Sequence, residues 1–500
     1  MEKEIPGLPR TAPVEMDPET FRRLGHALVD DIAQFMKELP GKPVSPDLTP
    51  TKARQLLGSE GLPEKGGEPA GLLKQTASWL FEHSTFNGHP RFLGYITSSP
   101  TPIGALADLL AAAVNPNVGG WQLSPIASEI ERQTIRWIAE LIGYPTDCGG
   151  LLVSGGNMAN FVGFLAARKA KAGWNIREKG LRDHPQLVAY ASAETHTWLQ
   201  KAADLFGLGT ATIRWIETDD RQRLHPALLK QAIEADLAGG AQPFLVVGTV
   251  GTVSTGAVDP IREIHAICRE FDLWLHIDGA YGAFYAALPE ASADAKALSL
   301  ADSVAMDPHK WLYSPLEAGG VLVRRPEHLI EAFSYNPLYY HFHENEGDPE
   351  VNFYEYGLQN SRGFRALKVW LALRQAGRQG YVDMIREDCR LTQILAGKVR
   401  QHPELEFFTC EMSIATFRYV PTNLPGTDDG GEYLNKLNTA ILEHLRKTGE
   451  FFLSNAVIGE RFLLRSCIVN FRTSLREMEI LPDIVARVGR ELDQKLRPGS

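Results

Sequence analysis

Hydrophobic residues recur at helical spacing near the start of the chain. Over residues 18 to 38 the apolar positions fall three or four residues apart, at Phe21, Leu24, Leu28, Ile32 and Phe35 or Met36. This spacing predicts an amphipathic helix, which the proline-rich stretch PGKPVSPDLTP ends. A second helix is predicted over about 70 to 84, before the loop HPRFLGYITSSPTP. Such an arm must bury its apolar face on its own chain or on a partner subunit.

Seven short apolar runs alternate with helix-length segments between about residues 100 and 375. They are GGLLVSGG, LVAYASAE, TIRWIETD, PFLVVGTVG, LWLHIDGA, SVAMDPHK and GGVLVRR. This alternation predicts βαβ units and an α/β fold with a mainly parallel sheet buried on both faces. After about residue 376 the pattern changes to helix, shorter strands and a last helix. We therefore expect an N-terminal helical arm over 1–100, a large domain over 101–375 and a small α+β domain over 376–500.

Composition and charge narrow the possible functions. The chain has 500 residues, of which 44% are hydrophobic and 22% charged, as in an ordinary globular protein. Its formal charge of -10 is spread along the chain, which argues against a nucleic-acid partner. The five cysteines form no CxxC pair, which favours a reducing compartment. No apolar run has the length of a membrane span or the form of a signal peptide, so we expect a cytoplasmic protein with no membrane partner.

A glycine turn joins the first apolar run to a helix in LLVSGGNMANFVGFLAARKA. Free N–H groups and the helix dipole attract an anion at such a turn. Gly155 and Gly156 let a phosphate approach closely, and Asn157 adds a side-chain donor. A tight turn with no ligand remains the alternative. The spacing matches neither a P-loop nor a GxGxxG motif, which disfavours a nucleotide.

Functional residues of a parallel sheet gather where its strands end, and Thr252 and Asp278 both follow apolar runs. A buried carboxylate at Asp278 needs a positive partner. A protonated heterocyclic nitrogen would serve, and so would a metal ion shared with His276 on the same strand face, although no further ligands are evident. A carboxylate that caps the next helix is the third possibility.

Lys310, in MDPHKWLYSPLEAGG, follows another apolar run. Burial would favour its neutral amine, which is a nucleophile toward an aldehyde, whereas a side chain that reaches the surface is the alternative. His196 follows a further run and is, by itself, more typical of a capping or packing residue. Together these features require a ligand with a phosphate, a protonatable ring nitrogen and an aldehyde. Pyridoxal 5'-phosphate has all three.

The chain resembles the pyridoxal-phosphate-dependent group II decarboxylases, most closely the aromatic L-amino acid decarboxylase branch. The likeness extends from about residue 17 to 495. Its motifs occur in order: FRRLGHALVDDIAQFM, HPRFLGY, SGGNMANFVGFLAAR, ETHTWLQKAADLFG, HIDGAYG, DPHKW, NPLYY, GFRALKVW and RFLLRSCIVNFRT. The resemblance implies a fold type I enzyme with a seven-stranded sheet. It also implies an intertwined homodimer with active sites at the interface, in which the N-terminal arm packs on the partner.

The resemblance also implies roles for individual residues. Lys310 corresponds to the lysine that bonds the cofactor aldehyde and Asp278 to the carboxylate paired with the pyridinium nitrogen. His196 corresponds to the imidazole stacked on one ring face, and Ala280 to the small residue on the other. Tyr339 aligns with the loop tyrosine that protonates the substrate carbon, with Tyr340 as a rival.

The remaining cofactor-binding residues concern the phosphate. The family's phosphate cradle matches the glycine turn and its surroundings, and Asn360 and Ser361 match a stretch that approaches the partner subunit's phosphate. The complete set of cofactor-binding residues expected from the sequence is Gly155, Gly156, Asn157, His196, Thr252, Asp278, Ala280, His309, Lys310, Asn360 and Ser361.

Two departures from the family pattern stand out. Asp307 replaces an asparagine that helps to hold the phosphate in the animal enzymes, and an ionised Asp307 would repel a dianion. It must turn away, stay protonated or bind a basic group. In the substrate pocket, which we expect to include Tyr95, Ile96 and Trp121, an isoleucine stands where an aromatic is common. Gly119 and Gly120 also replace bulkier residues, which predicts a roomier pocket.

The sequence thus predicts a carboxy-lyase that converts an L-amino acid, with aromatic ones favoured, to the amine and CO2. Three alternatives remain. The first is an acidic or diamino acid substrate of the glutamate or 2,4-diaminobutyrate type. The second is a decarboxylating aldehyde synthase, against which Tyr339 argues because related synthases carry phenylalanine there. The third is a non-catalytic scaffold, which the intact Lys310, Asp278 and His196 disfavour.

Overall fold

The secondary structure follows the predicted alternation of helices and strands. The computed structural model describes residues 12–335, 350–422, 424 and 431–497. The α-helices are α1 Pro18–Glu38, α2 Pro50–Leu57, α3 Pro69–His83, α4 Pro102–Val114, α5 Pro125–Ile142, α6 Gly156–Lys171, α7 Ile176–Lys179, α8 Trp198–Leu205, α9 Pro226–Ala238, α10 Ile261–Glu270, α11 Ala293–Lys296, α12 Pro308–Trp311, α13 Glu327–Phe333, α14 Ala366–Gln401, α15 Gly431–Thr448 and α16 Leu475–Leu496. The strands are β1 Gly149–Val153, β2 Leu187–Ser192, β3 Ile213–Ile216, β4 Gln242–Thr249, β5 Trp274–Asp278, β6 Ser303–Met306, β7 Gly319–Val323, β8 Leu405–Glu411, β9 Ile414–Tyr419, β10 Ser454–Ile458 and β11 Arg461–Cys467.

A seven-stranded sheet lies at the centre of the fold, in the order β1-β7-β6-β5-β4-β2-β3. Strand β7 is antiparallel to both of its neighbours, and the strands from β6 to β3 pair in parallel. All seven apolar runs form these strands, which confirms the predicted α/β fold with a mainly parallel sheet. Their residues are almost all buried because helices cover both faces, so the strands carry apolar runs without polar alternation.

A second, antiparallel sheet follows in the order β10-β11-β9-β8. Helices α14, α15 and α16 pack against this sheet, and Phe417 of β9, Leu464 of β11 and Val485 of α16 belong to the buried cluster between them. The predicted succession of helix, strands and final helix is confirmed, although β10 was not predicted. No helix in the described ranges is both long and apolar enough to cross a bilayer.

The N-terminal helix begins and ends where the hydrophobic pattern predicted. The carboxylate of Asp17 caps it by accepting hydrogen bonds from two backbone N–H groups of the first turn. Leu24 is buried and Phe35 stacks on Phe81 with ring centroids 4.6 Å apart, yet Phe21 remains 57% exposed. The chain therefore covers only part of the apolar face of this arm.

Candidate active site

A cavity of about 490 Å³ lies at the edge of the large sheet where β1, β2, β4, β5 and β6 end. The carboxyl ends of parallel strands meet at one edge, so residues far apart in the sequence converge there. The cavity wall includes nine of the predicted site residues: Ile96, Gly155, Gly156, Asn157, His196, Asp278, Ala280, His309 and Lys310.

Asp278 ends strand β5 and is 6% exposed. Its Oδ2 accepts a hydrogen bond of 2.8 Å from the indole Nε1–H of Trp198, and its Oδ1 accepts one of 3.2 Å from the backbone N–H of Ala280. Among the described residues no lysine or arginine forms an ion pair with this carboxylate. It is thus oriented by neutral donors and lines the cavity without a bound cation, which suits a protonated ring nitrogen.

His276 takes no part in a metal site with Asp278. Its Nδ1 lies 2.7 Å from Ser303 Oγ and its Nε2 lies 2.7 Å from Asn160 Oδ1, so both ring nitrogens are engaged. Burial lowers the pKa of His276 to about 4, which keeps the ring neutral. Across the described ranges, no cluster of three or more His, Cys, Asp or Glu residues is placed to hold a metal ion.

The glycine turn forms the N-terminus of α6, a 16-residue helix. Gly155 has a φ of 149°, which other residues rarely adopt. A Cβ atom on Gly156 would lie 2.8 Å from Asp307 Oδ2, and one on Gly319 of β7 would lie 2.4 Å from Gly155 Cα. Glycine is therefore needed where β7 approaches this turn. The helix N-terminus beside the cavity is a suitable site for a phosphate.

Lys310 lies in the single-turn helix α12, just after β6. Its Nζ is 2.9 Å from Oδ2 of Asp307, a residue that is 2% exposed. His309 Nε2 lies 3.6 Å from the same oxygen. Of the three possibilities that the sequence left for Asp307, the structure thus shows contact with a basic group.

His196 follows β2 and lines the cavity. Burial lowers its pKa, and the nearby carboxylate of Asp278 opposes this effect only in part. The ring nitrogen Nδ1 accepts a hydrogen bond of 3.3 Å from the backbone N–H of Trp198, which assigns the proton of the neutral ring to Nε2. A neutral imidazole can pack against a ring without adding charge.

Three polar atoms of cavity-lining residues have no hydrogen-bond partner in the described part of the chain. These buried atoms are Thr97 Oγ1, Thr249 Oγ1 and Asp307 Oδ1. Buried polar atoms are normally paired, so these unpaired atoms indicate space for a polar ligand. Together with Lys310, the carboxylate of Asp278 and the turn at Gly156, they fit pyridoxal 5'-phosphate.

Other predicted site residues do not line this cavity. Thr252 is buried, and its hydroxyl lies 3.0 Å from that of Thr255. Tyr95 is 55% exposed, and the indole N–H of Trp121 donates to Glu129. Asn360 lines a separate hollow, and its neighbour Ser361 is exposed. Tyr339 and Tyr340 lie outside the described residues.

A Cβ atom on Gly119 would lie 2.1 Å from the carbonyl oxygen of Asn360, so this glycine permits close backbone packing within the chain. A Cβ atom on Gly120 would make an ordinary van der Waals contact of 3.5 Å with Oδ1 of Asn352. The roomier pocket expected from the two glycines, in a wall contributed by the partner subunit, stays a prediction. The sequence reasoning also missed Trp198, whose contact with Asp278 spans 80 positions and leaves no local signal.

Comparison with known proteins agrees with this site. Residues 50–420 match the model of the pyridoxal-dependent decarboxylase conserved domain. An aromatic-L-amino-acid decarboxylase of Bacillus atrophaeus is 34% identical over 466 residues, which cover 93% of this chain and 94% of that protein.

Two solved structures resemble the whole chain. Oryza sativa TDC with PLP and tryptamine has a TM-score of 0.90 at 27% identity and covers 97% of this chain and 100% of its own. Rhodiola rosea 4-hydroxyphenylacetaldehyde synthase has a TM-score of 0.84 at 27% identity, with 95% and 99% covered. The fold and the pyridoxal phosphate cofactor expected from the sequence are thereby confirmed.

Asp388 of α14 holds two side chains that follow Lys310 in the chain. Its Oδ2 accepts hydrogen bonds of 2.8 Å from Trp311 Nε1–H and 2.7 Å from the hydroxyl of Tyr313. Complete burial raises the pKa of Asp388 to about 7, although both donors act in the opposite direction. The side chain that holds Trp311, next to Lys310, is thus a carboxyl whose pKa lies well above its ordinary value.

This carboxyl predicts a pH dependence of stability. Between the unfolded pKa of 3.8 and the folded value of about 7, the folded chain binds more protons than the unfolded chain. The stability due to Asp388 is therefore lost as the pH rises through this window, by on the order of 4 kcal/mol. In Asp388→Asn the amide oxygen can still accept from Trp311 and Tyr313 and does not titrate, and the loss of the hydrogen bond from the backbone N–H of Asn470 costs the same at every pH. Urea unfolding from pH 5 to 8 should show that the variant gains stability relative to the wild type as the pH rises. Parallel curves for the two proteins would contradict this account.

Proposed function

Because this chain belongs to the pyridoxal-dependent decarboxylases, we propose that it removes CO2 from an L-amino acid with an aromatic side chain and releases the amine. One observation carries the proposal. Lys310, a carboxylate free of cations and a helix N-terminus with two glycines line a single cavity. A nucleophilic amine, a partner for a ring nitrogen and a phosphate site are the three features that this cofactor requires.

Lys310 and Asp278 have separate roles in the proposed reaction. When bound, pyridoxal phosphate supplies the electron sink, since its protonated ring accepts the electron pair left by the departing carboxylate. Lys310 would supply the amine that holds the cofactor through its aldehyde. Asp278, held by Trp198 and the backbone of Ala280, keeps a proton on the ring nitrogen.

The remaining cavity residues orient the reacting groups. Gly156, Asn157, His196 and Ala280 all line the cavity. The turn at Gly156 and Asn157 would anchor the phosphate, and His196 and Ala280 would hold the ring. Fixing the ring in this way sets the angle of the bond that breaks, which favours loss of the carboxylate over loss of the α-proton. Tyr339 is the proposed acid that returns a proton to the substrate carbon.

The walls of the cavity favour an uncharged side chain on the substrate. Ile96, Val253 and Leu316 supply apolar surface. Among the described residues that line the cavity, the only lysine or arginine is Lys310, which is engaged with Asp307. A glutamate-like substrate would therefore find no free cation in this wall. The relative from Bacillus atrophaeus, named for aromatic amino acids, supports the same choice.

A diamino acid of the 2,4-diaminobutyrate type is the second candidate. Glu194 and Glu317 line the same cavity, and either carboxylate offers a partner for a second ammonium group. Glu317 already accepts from the guanidinium of Arg365 at 2.9 Å, which leaves Glu194 as the stronger partner.

The assembly that we propose is a cytoplasmic homodimer with active sites at the interface. Leu106, Leu109 and Leu110 of α4 are each more than half exposed in the single chain, as is Phe21 of the arm. Leu109 and Leu110 lie three and four residues after Leu106, so the three leucines share one face of α4, and an exposed apolar face of this kind typically marks a subunit interface. The five cysteines are free, which suits a reducing compartment.

The division of the chain into an arm (1–100), a large domain (101–375) and a small domain (376–500) is also part of the proposal. The helix that crosses the second boundary, α14, loses its helical conformation at Gly377, where φ is 67° and ψ is 173°. A break at this point supports a boundary near residue 376.

Incubation of the purified protein with the proteinogenic amino acids, DOPA, 5-hydroxytryptophan and 2,4-diaminobutyrate, followed by detection of amines, tests the function. We expect an aromatic amine from the wild type and none from Lys310→Ala, which lacks the amine that bonds the cofactor. A diamine as the main product would favour the second candidate. Release of no amine at all would refute the proposed decarboxylation.

Tyr339→Phe tests the proposed acid. Without the phenol, protonation of the substrate carbon should slow and the products should shift toward aldehyde and ammonia, while the absorbance of the bound cofactor persists. Tyr340→Phe is the matched control and should leave the product ratio unchanged. The reverse outcome would assign the role to Tyr340, and an unchanged amine yield in both variants would exclude both residues.

Leu109→Asp tests the dimer. Because Leu109 is 51% exposed in the single chain, a charge there should not disturb folding, but it should oppose burial in an interface. Sedimentation should show a wild-type dimer and a largely monomeric variant. Leu237→Asp on α9, at a residue that is 48% exposed, should remain dimeric. A wild type that sediments as a monomer would disprove the dimer.

A further inference from the structure

Four buried polar side chains form a hydrogen-bonded relay that ends at the wall of the cavity. Trp274 and His276 belong to β5, Ser303 begins β6 and Asn160 belongs to α6, and each is at most 1% exposed. The indole Nε1 of Trp274 lies 2.8 Å from Ser303 Oγ, which lies 2.7 Å from Nδ1 of His276. Nε2 of His276 lies 2.7 Å from Oδ1 of Asn160. Of the four residues, only Asn160 lines the cavity.

The donor at one end of the relay sets the direction of every hydrogen bond in it. An indole N–H can only donate, so Ser303 Oγ accepts from Trp274 and directs its own hydrogen to Nδ1 of His276. Burial lowers the pKa of His276 to about 4, so the ring is neutral and carries one N–H. With Nδ1 accepting, Nε2 carries this hydrogen and donates it to Asn160 Oδ1. The reverse direction would leave the buried hydroxyl of Ser303 without an acceptor, which is costly.

This direction determines which end of the Asn160 amide is free. The oxygen accepts from His276, so the NH2 group lies on the other side, and Nδ2 has no hydrogen-bond partner in the described part of the chain. Asn160 follows Gly156 by one turn of α6, so the two residues share one face of the helix. The amide therefore presents a hydrogen-bond donor to the cavity beside the glycine turn.

We propose that Asn160 is a further cofactor-binding residue, whose amide NH2 donates a hydrogen bond to an oxygen of pyridoxal phosphate. Trp274, Ser303 and His276 are positioning residues that hold the amide in the required orientation. The cofactor carries oxygen acceptors on its phosphate and on its ring, whereas a protonated ring nitrogen accepts no hydrogen bond. The inference depends on the cofactor and not on the substrate or the reaction proposed above.

Equilibrium dialysis of the cofactor-free protein against graded concentrations of pyridoxal phosphate measures the affinity. Asn160→Leu keeps the approximate size of the side chain but has no donor. We expect it to bind the cofactor about ten- to a hundredfold more weakly, which is the range for a lost hydrogen bond to a charged group. The N–H of His276 that this variant leaves unpaired costs stability with and without the cofactor, and so cancels in the affinity. An unchanged affinity would overturn the inference.

Ser303→Ala tests the positioning role from outside the cavity wall. The space left by one oxygen atom is too small for a water molecule, so nothing replaces the hydroxyl and the tautomer of His276 is no longer imposed. Both orientations of the Asn160 amide then become accessible, and we expect the affinity for the cofactor to fall by about twofold or more. Because both substitutions act on the same donor, the double variant should bind no more weakly than Asn160→Leu. Losses that add would contradict the relay.

Thr134→Val is the matched control. It removes a fully buried hydroxyl that donates to the carbonyl of Ile130 at 2.7 Å within α5 and that lies outside the cavity wall. This variant should lose stability without any change in cofactor affinity. A loss of affinity equal to that of Asn160→Leu would show that any buried polar defect weakens binding, and would overturn the inference.

Pyridoxal, which lacks the phosphate, identifies the acceptor. If the amide donates to the ring oxygen, Asn160→Leu should weaken the binding of pyridoxal and of pyridoxal phosphate by the same factor. If the amide donates to the phosphate, pyridoxal should bind equally to the wild type and the variant. Both results support the inference and differ only in the oxygen that they assign.

The tautomer of His276 can be read in the wild type, which covers the case in which a variant does not fold. Nitrogen NMR of protein with isotopically labelled histidine should show a neutral His276 ring with its hydrogen on Nε2. A hydrogen on Nδ1 would reverse the relay and overturn the inference. Neither dialysis nor NMR requires turnover. Weaker cofactor binding by Asn160→Leu in a protein that forms no amine would therefore support this inference and contradict the proposed function.

Discussion

The cost of burying charge at the carboxyl edge of the sheet governs this site. Parallel strands bring Asp278, His196 and Lys310 to one place, and each must be neutralised or hydrogen-bonded there. Lys310 contacts a carboxylate, His196 is neutral because burial lowers its pKa, and Asp278 is held by neutral donors. Only Asp278 is left with an uncompensated charge, so this position is where a cationic ring nitrogen is most favourable.

Local patterns predicted the sheet and the residues at its strand ends. Apolar runs, glycines and prolines act over a few residues, so the seven strands and the turn at Gly155 and Gly156 could be placed from the sequence alone. Contacts that depend on distant partners could not. The hydrogen bond between Trp311 and Asp388 spans 77 positions, and the carbonyl of Asn360 beside Gly119 is still more distant in the sequence. The contact between Asp307 and Lys310 is local, but the sequence left it as one of three possibilities because it depends on the side-chain conformations in the folded chain.

Helix α12, which carries Lys310, is positioned by contacts from two parts of the fold. Strand β6 ends just before it at the edge of the large sheet, and Asp388 on α14 accepts hydrogen bonds from Trp311 and Tyr313, which follow Lys310 in the chain. Tyr281 stacks on Trp311 at 4.9 Å and its hydroxyl lies 2.7 Å from that of Ser413, beside the second sheet. The position of Lys310 therefore depends on the packing of both sheets.

The pairing of β1 with β7 alone also dictates an order of events during synthesis of the chain. Strand β1 emerges first from the ribosome, but its partner is the last strand of the large sheet to be made. The glycine turn after β1 rests against Gly319 of β7, so it cannot take its final shape until translation has passed that strand. The proposed phosphate site thus depends on long-range contacts that form late. A nascent chain gains the ability to retain its cofactor only after the whole large sheet has been assembled.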